Sequence, residues 1–378
     1  MLSCGEASGD LYAGALADAL HRQDPSAELF GFGGDRFRRA GGRLLGDYRG
    51  FAVTGLTEAL RVLPRSYALY RRLVEAARAE RPDVFVAIDF PDFNFRLAGA
   101  VRALGIPVVY YISPQLWAWR AGRMKTMKRI ADRVLVIFPF EQDIYERAGV
   151  PAEFVGHPLV DLIAVGEPRD PFLRSLGLDP AAPTVALLPG SRPNEVRAIL
   201  PGLAAAARLM AARVPGVQFV VARAPNLDAG LFAPLAAAGI RPPGLVESRT
   251  DEVLAASDLV LTASGTATVQ AALHEVPMVV VYRLSPLTYR LGKPFVRVDT
   301  YAMVNLVAGE RIVPELIQEA FTPEAVAAEA VPLLVDRDRI ARTREALRRV
   351  RATLGEPGAS DRAARAVLAV AGGAGRAC

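Results

Sequence analysis

The sequence predicts an α/β protein of two Rossmann-like, doubly wound domains facing each other across a cleft, with C-terminal helices packing back across them. Three observations predict it. Short apolar runs, each followed by a longer segment of helical period, recur along the chain, as strands of a parallel sheet covered by helices do. The pattern restarts after a polar, proline-containing stretch at 165–171, the expected linker. The chain has 378 residues, 52% of them hydrophobic, and a single core rarely grows beyond about 250–300 residues.

In the first domain, 1–164, strands are expected at 1–4, 28–32, 83–88, 107–112, 133–137 and 153–155. The first is short against an average of about 5–6 residues, which points to a clipped strand or a start further upstream. In the second domain, 165–335, strands are expected at 184–188, 218–222, 258–262 and 278–282. The remaining segment, 336–378, is rich in Ala, Arg and Leu and reads as helices at 337–354 and 361–370, crossing back to the first domain or to a partner subunit. Ligands of such sheets bind beyond the carboxyl ends of the strands, so function is expected in the cleft.

Composition narrows the classes. Cys4 and Cys378 lie at opposite ends with no metal-type or redox-type spacing, which fits a reducing compartment. No secretory leader and no apolar run of about 18–20 residues is present, so the protein is expected to be neither secreted nor integral. A net charge of +5 favours anionic partners, although a merely basic surface is the plainer reading of charge alone.

Chemistry concentrates at strand ends. Gly5-Glu6-Ala7-Ser8-Gly9-Asp10 follows the first strand and opens a helix expected to run to about Leu20. Small residues there admit a ligand to backbone N–H groups that favour an anion. Glu6 and Asp10 would repel phosphate but can accept hydrogen bonds from sugar hydroxyls; the alternative is a turn capped by Ser8 or Asp10. The strand at 83–88 runs into Asp89-Phe90-Pro91-Asp92-Phe93-Asn94. A carboxylate in that place can take a proton from a hydroxyl nucleophile. Capping explains one of Asp89, Asp92 and Asn94 more easily than all three.

Ser113-Pro114-Gln115-Leu116-Trp117-Ala118-Trp119-Arg120 holds both tryptophans. Trp117 and Trp119 suit a sugar-stacking or acyl-contacting platform, or ordinary interior packing. Arg120, Arg123, Lys125, Lys128, Arg129 and Arg133 then suggest phosphate or anionic membrane contact. His157, between Gly156 and Pro158, reads as a structural hydrogen-bonder, and three histidines offer no metal cluster.

The second domain opens with Leu187-Leu188-Pro189-Gly190-Ser191-Arg192, with Glu195 inside the next helix. A buried strand, a Gly-Ser turn and an arginine at a helix start form a diphosphate cradle. It lacks the Lys-Ser/Thr of a Walker loop, so ATP hydrolysis is not indicated. Ala263-Ser264-Gly265-Thr266-Ala267-Thr268 is a second turn of this kind. The segment 56–74 mixes Leu60, Leu63, Tyr67 and Tyr70 with Arg61, Arg65, Arg71 and Arg72, a basic amphipathic helix suited to a membrane surface or to acyl chains, unless it is simply core-facing. Residues 285–298, with Arg290, Lys293 and Arg297, repeat that chemistry.

In this order and at this spacing, GEASGD, DFPDFN, SPQLWAWR, VGHPL, LLPGSRxxEV and SGTAT resemble the lipid-A-disaccharide synthase family from Gly5 to about Phe321. The resemblance implies a GT-B fold, with an acceptor- and lipid-binding first domain and a UDP-sugar-binding second domain. It implies an inverting transfer of 2,3-diacylglucosamine from UDP-2,3-diacylglucosamine to the 6-hydroxyl of 2,3-diacylglucosamine 1-phosphate (lipid X), giving a β(1→6) disaccharide and UDP. On it, Asp92 is the candidate general base and Arg192 the catalytic cation at the donor diphosphate. Gly190, Ser191 and Glu195, and Ser264, Gly265 and Thr266, match the two phosphate-side loops. Glu6, Ser8, Asp10, Asp89, Asn94, Gln115, Trp117 and Trp119 are candidate substrate contacts, and Asn305 and Gln318 fall in a region similar to the family's polar pocket. Gln270 stands where the family usually carries a glutamate for ribose, a departure that alters hydrogen bonding because an amide donates as well as accepts. The resemblance implies no metal or other cofactor, no nucleic acid partner, peripheral contact with the inner membrane from the cytoplasmic side, and a possible homodimer. The competing enzyme readings are UDP-N-acetylglucosamine 2-epimerase and the peptidoglycan N-acetylglucosaminyltransferase; a non-catalytic binder of nucleotide sugar or lipid is the competing class.

Overall fold

The computed structural model describes every residue except 50–55, 117–120, 226, 238, 240–244, 284–299 and 375–378; at 56–62, 121 and 374 only the backbone is described. The chain forms two compact units, Met1–Leu162 with Leu354–Cys378, and Ile163–Thr353.

The first unit runs β1 (Leu2–Cys4), α1 (Ala7–Gln23), β2 (Phe30–Gly33), α2 (Asp35–Arg39), β3 (Arg43–Asp47), α3 (Leu56–Glu80), β4 (Phe85–Ile88), α4 (Pro91–Ala103), β5 (Val108–Tyr111), α5 (Met124–Ile130), β6 (Arg133–Val136), α6 (Pro139–Arg147), β7 (Ala152–Phe154) and α7 (Leu159–Leu162). Its seven strands are ordered β3-β2-β1-β4-β5-β6-β7, and every pairing is parallel. β1, β2, β4 and β5 are buried at every position, as strands covered on both faces must be. Leu69, Leu73 and Ala77 of α3 and Leu97, Ala98 and Val101 of α4 complete that core.

The second unit runs α8 (Arg169–Ser175), β8 (Thr184–Leu188), α9 (Pro193–Ala211), β9 (Gln218–Arg223), α10 (Ala233–Ala237), β10 (Leu245–Glu247), α11 (Thr250–Ala255), β11 (Leu259–Ala263), α12 (Thr266–Leu273), β12 (Met278–Tyr282), α13 (Met303–Ala308), β13 (Glu315–Ile317), α14 (Pro323–Ala330), α15 (Pro332–Val335) and α16 (Arg337–Thr353). The order β10-β9-β8-β11-β12-β13, again parallel, is the doubly wound order counted from β8.

Three differences from expectation have physical causes. β3, β10 and β13 carry Arg43 and Asp47, Glu247, and Glu315; all three are edge strands, covered less fully and so lacking the continuous apolar run that marks their neighbours. The expected linker 165–171 is shortened, because α8 begins at Arg169, whose guanidinium bonds Asp258 at 2.9 Å and the Ala256 carbonyl at 2.7 Å. The tail expected at 336–378 is divided: α16 packs on α12 and α13 in the second unit, and α17 (Ala359–Ala374) returns to the first, against α1. The Asp161 carboxylate fixes this return by accepting the N–H groups of Gly358 and Ser360 at 2.6 and 3.1 Å.

Candidate functional site

In each sheet the strand order reverses at one place, and the loops leaving the two strands there open side by side. In the first sheet these strands are β1 and β4, with Cys4 opposite Ile88, so the segments 5–10 and 89–94 meet. They meet closely: a Cβ on Gly5 would lie 2.2 Å from the Phe90 ring.

The first of these segments is held by its own polar groups. Asp10 is buried, and its Oδ1 accepts the N–H groups of Gly34 at 2.7 Å and Phe37 at 3.1 Å, while Oδ2 accepts that of Arg36 at 3.0 Å. Its carboxylate therefore caps α2, across a separation of more than twenty residues. Glu6, at the N-cap of α1, and Ser8, in its first turn, are partly exposed at the mouth of the loop. Asn94 is fully buried: its amide nitrogen donates to the carbonyls of Ser3, Ile88 and Asp89 at 3.1, 3.2 and 2.8 Å, and its oxygen accepts the Ser3 hydroxyl at 2.6 Å. It staples β1 to the end of β4.

That staple supports a sharp bend. Asp89 and Phe90 both have left-handed backbones, at φ 43° and 50°, a strain of about 1–3 kcal/mol each that a structure keeps only where it is over-determined. Tyr110 adds its hydroxyl to the Asp89 carbonyl at 2.9 Å. The bend delivers Asp92 to the first turn of α4 with its side chain 74% exposed, in an ion pair of 2.6 Å with Arg123. Arg123 also lies 5.6 Å over the Phe95 ring. Asp92 is thus an accessible carboxylate at a helix start, paired with the Arg123 guanidinium.

Next along the sheet edge, Ile112 is left-handed at φ 56°. The Ser113 hydroxyl is bonded to that of Tyr145, which donates to the Pro114 carbonyl at 3.2 Å. This anchors the segment carrying half-buried Gln115; Trp117 and Trp119, like residues 285–298, lie outside the described residues. His157 is buried between Tyr12 and Phe138, and its Nδ1 accepts the Leu159 N–H at 3.2 Å. Burial lowers its pKa to about 3, so it is a neutral structural acceptor near pH 7.

In the second sheet the reversal lies between β8 and β11, with Leu188 opposite Thr262, and brings Gly190-Ser191-Arg192 beside Ser264-Gly265-Thr266. Gly190 has φ +124°, and a Cβ there would sit 2.8 Å from Glu195. Glu195 Oε2 accepts the Ser191 and Arg192 N–H groups at 3.2 and 3.3 Å, and Oε1 accepts Arg192 Nη1 at 3.1 Å. This capping box presents the Arg192 guanidinium at the N-terminus of α9. Tyr282, at the end of β12, belongs to the same group: burial raises its pKa first, Glu195 raises it further and Arg192 lowers it.

Gly265 caps α12 at φ +146°, and among the described residues nothing lies within 4 Å of the place a Cβ would take, so this backbone suits the approach of an anion. Ser264 donates its hydroxyl to the Tyr301 carbonyl at 3.1 Å, and Thr266 is exposed. Asn305 is buried and bonds inward: its nitrogen donates to the Val313 carbonyl at 2.9 Å and Glu315 at 2.7 Å, and its oxygen accepts the N–H groups of Ile312 and Val313. Gln318, left-handed at φ 56°, is buried at the end of β13, and among the described residues its Nε2 has no hydrogen-bond partner. Gln270 Nε2 donates to Asp251 at 2.7 Å. The sequence did not mark Asp251, Tyr282 or the pairing of Arg123 with Asp92, because each depends on a neighbour distant along the chain.

Two doubly wound units, each with polar loops at its switch point, define the fold class shared by GT-B glycosyltransferases and UDP-N-acetylglucosamine 2-epimerases. Solved structures agree: the UDP-GlcNAc 2-epimerase of Neisseria meningitidis, bound to UDP-GlcNAc, matches with TM-score 0.66 at 12% identity over 97% of this chain and 98% of that one. The calicheamicin glycosyltransferase matches with TM-score 0.60 at 18% identity over 98% and 96%. Within that class the chain belongs to the lipid-A-disaccharide synthetase family, whose profile it matches over residues 1–370. It is 46% identical over 377 residues to the lipid-A-disaccharide synthase of Koribacter versatilis (strain Ellin345), covering 98% of both chains, and 44% identical over 369 residues to that of Myxococcus xanthus (strain DK1622), covering 97% and 96%.

Proposed function

We propose that the protein transfers 2,3-diacylglucosamine from UDP-2,3-diacylglucosamine to the 6-hydroxyl of lipid X. The family match over residues 1–370 carries this reading, and the two switch points give it residues. Asp92, exposed at the start of α4, accepts the proton of the acceptor hydroxyl. The acceptor oxygen bonds to C1 of the donor sugar from the face opposite UDP. The bond from C1 to the diphosphate oxygen breaks, its electron pair leaves with UDP, and the configuration inverts. Arg192, at the start of α9, and the backbone N–H groups at the start of α12 stabilise the charge that develops on the departing diphosphate. In this scheme fixed dipoles and a guanidinium do the work of a divalent ion, and no cofactor takes part.

Asp92→Asn tests the reading: general-base catalysis contributes about 10²–10⁴-fold, so turnover should fall by about that much with UDP affinity unchanged. Unchanged turnover would remove Asp92 from the role.

The scheme includes peripheral contact with the cytoplasmic face of the inner membrane through α3, where Leu63 and Tyr67 are exposed beside Arg65, Arg71 and Arg72. No described helix is long and apolar enough to cross a membrane. It also includes a homodimer, which sedimentation would detect and a monomer at all concentrations would refute.

A further inference from the structure

Asp251, in the first turn of α11, accepts two hydrogen bonds on one oxygen: from Gln270 Nε2 at 2.7 Å and from His274 Nε2 at 2.8 Å. Gln270 and His274 stand four residues apart, on one face at the end of α12. An ionised carboxylate only accepts, so it dictates what faces it. The His274 ring must carry its hydrogen on Nε2, and the Gln270 amide must turn its nitrogen inward. The reversed amide would press two acceptor oxygens together without a proton between them. Oε1 of Gln270 is therefore the atom left to face outward.

We propose that Asp251 is a positioning residue for nucleoside recognition, holding the Gln270 amide so that Oε1 is offered as an acceptor to a ribose hydroxyl of the bound nucleoside diphosphate. The inference rests on the UDP-donor reading above. Its geometry follows from α12. The N-terminus at Gly265 and Thr266, uncovered among the described residues, suits the diphosphate, and Gln270 lies one helical turn, about 5.4 Å, further along, as the ribose lies next along the ligand. The pairing also explains the residue type. A glutamate at 270 would set a second carboxylate against Asp251, whereas glutamine bonds to Asp251 and still presents an oxygen.

The test is calorimetric binding of UDP and of 2′,3′-dideoxyuridine 5′-diphosphate to the full chain. One ordinary hydrogen bond is worth about tenfold at most, so the wild-type protein should prefer UDP by roughly that factor. Asp251→Leu frees the amide, and the preference should fall below about threefold while affinity for the dideoxy compound stays the same. A purely architectural role would weaken both nucleotides alike. The exchanged pair, Asp251→Asn with Gln270→Glu, keeps the contact and again presents an oxygen, so it should restore the preference; Gln270→Met should abolish it. These two variants decide the matter if Asp251→Leu does not fold. A preference retained in Asp251→Leu, or not restored in the exchanged pair, overturns the inference while UDP binding by the wild type keeps the donor reading. If the wild-type protein binds no UDP, the donor reading falls and this inference falls with it.

Discussion

Replacing Asp10 by asparagine separates an architectural role from substrate contact. The Asp10 carboxylate takes three backbone N–H groups, from Gly34, Arg36 and Phe37, at 2.7–3.1 Å, and the residue is 3% exposed, so water cannot substitute. Asparagine keeps one acceptor oxygen, loses the charge that strengthens the bonds, and sets an NH₂ group against the Arg36 N–H. Hydrogen bonds to charged groups contribute about 1.5–3 kcal/mol each, and a buried donor left unmet costs about 1–3 kcal/mol, so a loss of about 3 kcal/mol is expected. With an m-value of about 2 kcal/mol per molar, the urea midpoint of the first unit should drop by about 1.5 M. The assay is urea denaturation followed by turnover at low temperature, where the variant is folded and should retain activity within about threefold. An unchanged midpoint with turnover abolished would show that Asp10 acts on substrate and refute the capping argument.

Three further outcomes follow from the site. His157 has a folded pKa of about 3 against about 6.5 when unfolded, so the unfolded chain takes up the proton first as pH falls. Its contribution to stability is complete above about 6.5 and shrinks below it, by about 2 kcal/mol at pH 5; in His157→Phe this part of the pH dependence should vanish, and an identical slope would contradict the assignment. Arg192→Met should weaken UDP about 10–150-fold by removing a charge-assisted contact while leaving uridine affinity unchanged; equal losses for both would place Arg192 away from the diphosphate. Leu63→Ser with Tyr67→Ser should lower partitioning onto anionic vesicles by about tenfold or more, and no change in co-sedimentation would move the membrane contact off α3.

The sequence made the core strands and the loops that follow them legible for a simple reason. Fully buried parallel strands are continuous apolar runs, and at both switch points the small or polar residues come directly after such a run. Side-chain direction was not legible. Asp10, Asn94 and Asn305 look like ligand contacts in a one-dimensional reading because they are polar residues in glycine- or aromatic-rich motifs. In the structure Asp10 and Asn94 bind groups 24–27 and as many as 91 residues away, and Asn305 closes on 312–315. Polar type and strand-end position come from local sequence, whereas the partner is set by the topology that brings β1 to β4 and β8 to β11. Asp92 and Gln270 show the same limit from the other side, since Arg123 and Asp251 matter only once α4 and α12 are packed.

The most direct test of the proposed reaction is turnover of the purified protein with UDP-2,3-diacylglucosamine and lipid X in the presence of EDTA, following UDP and disaccharide together. Disaccharide forming in step with UDP is expected. UDP released without disaccharide, or turnover abolished by EDTA and restored by a divalent ion, would contradict a metal-independent transfer to lipid X.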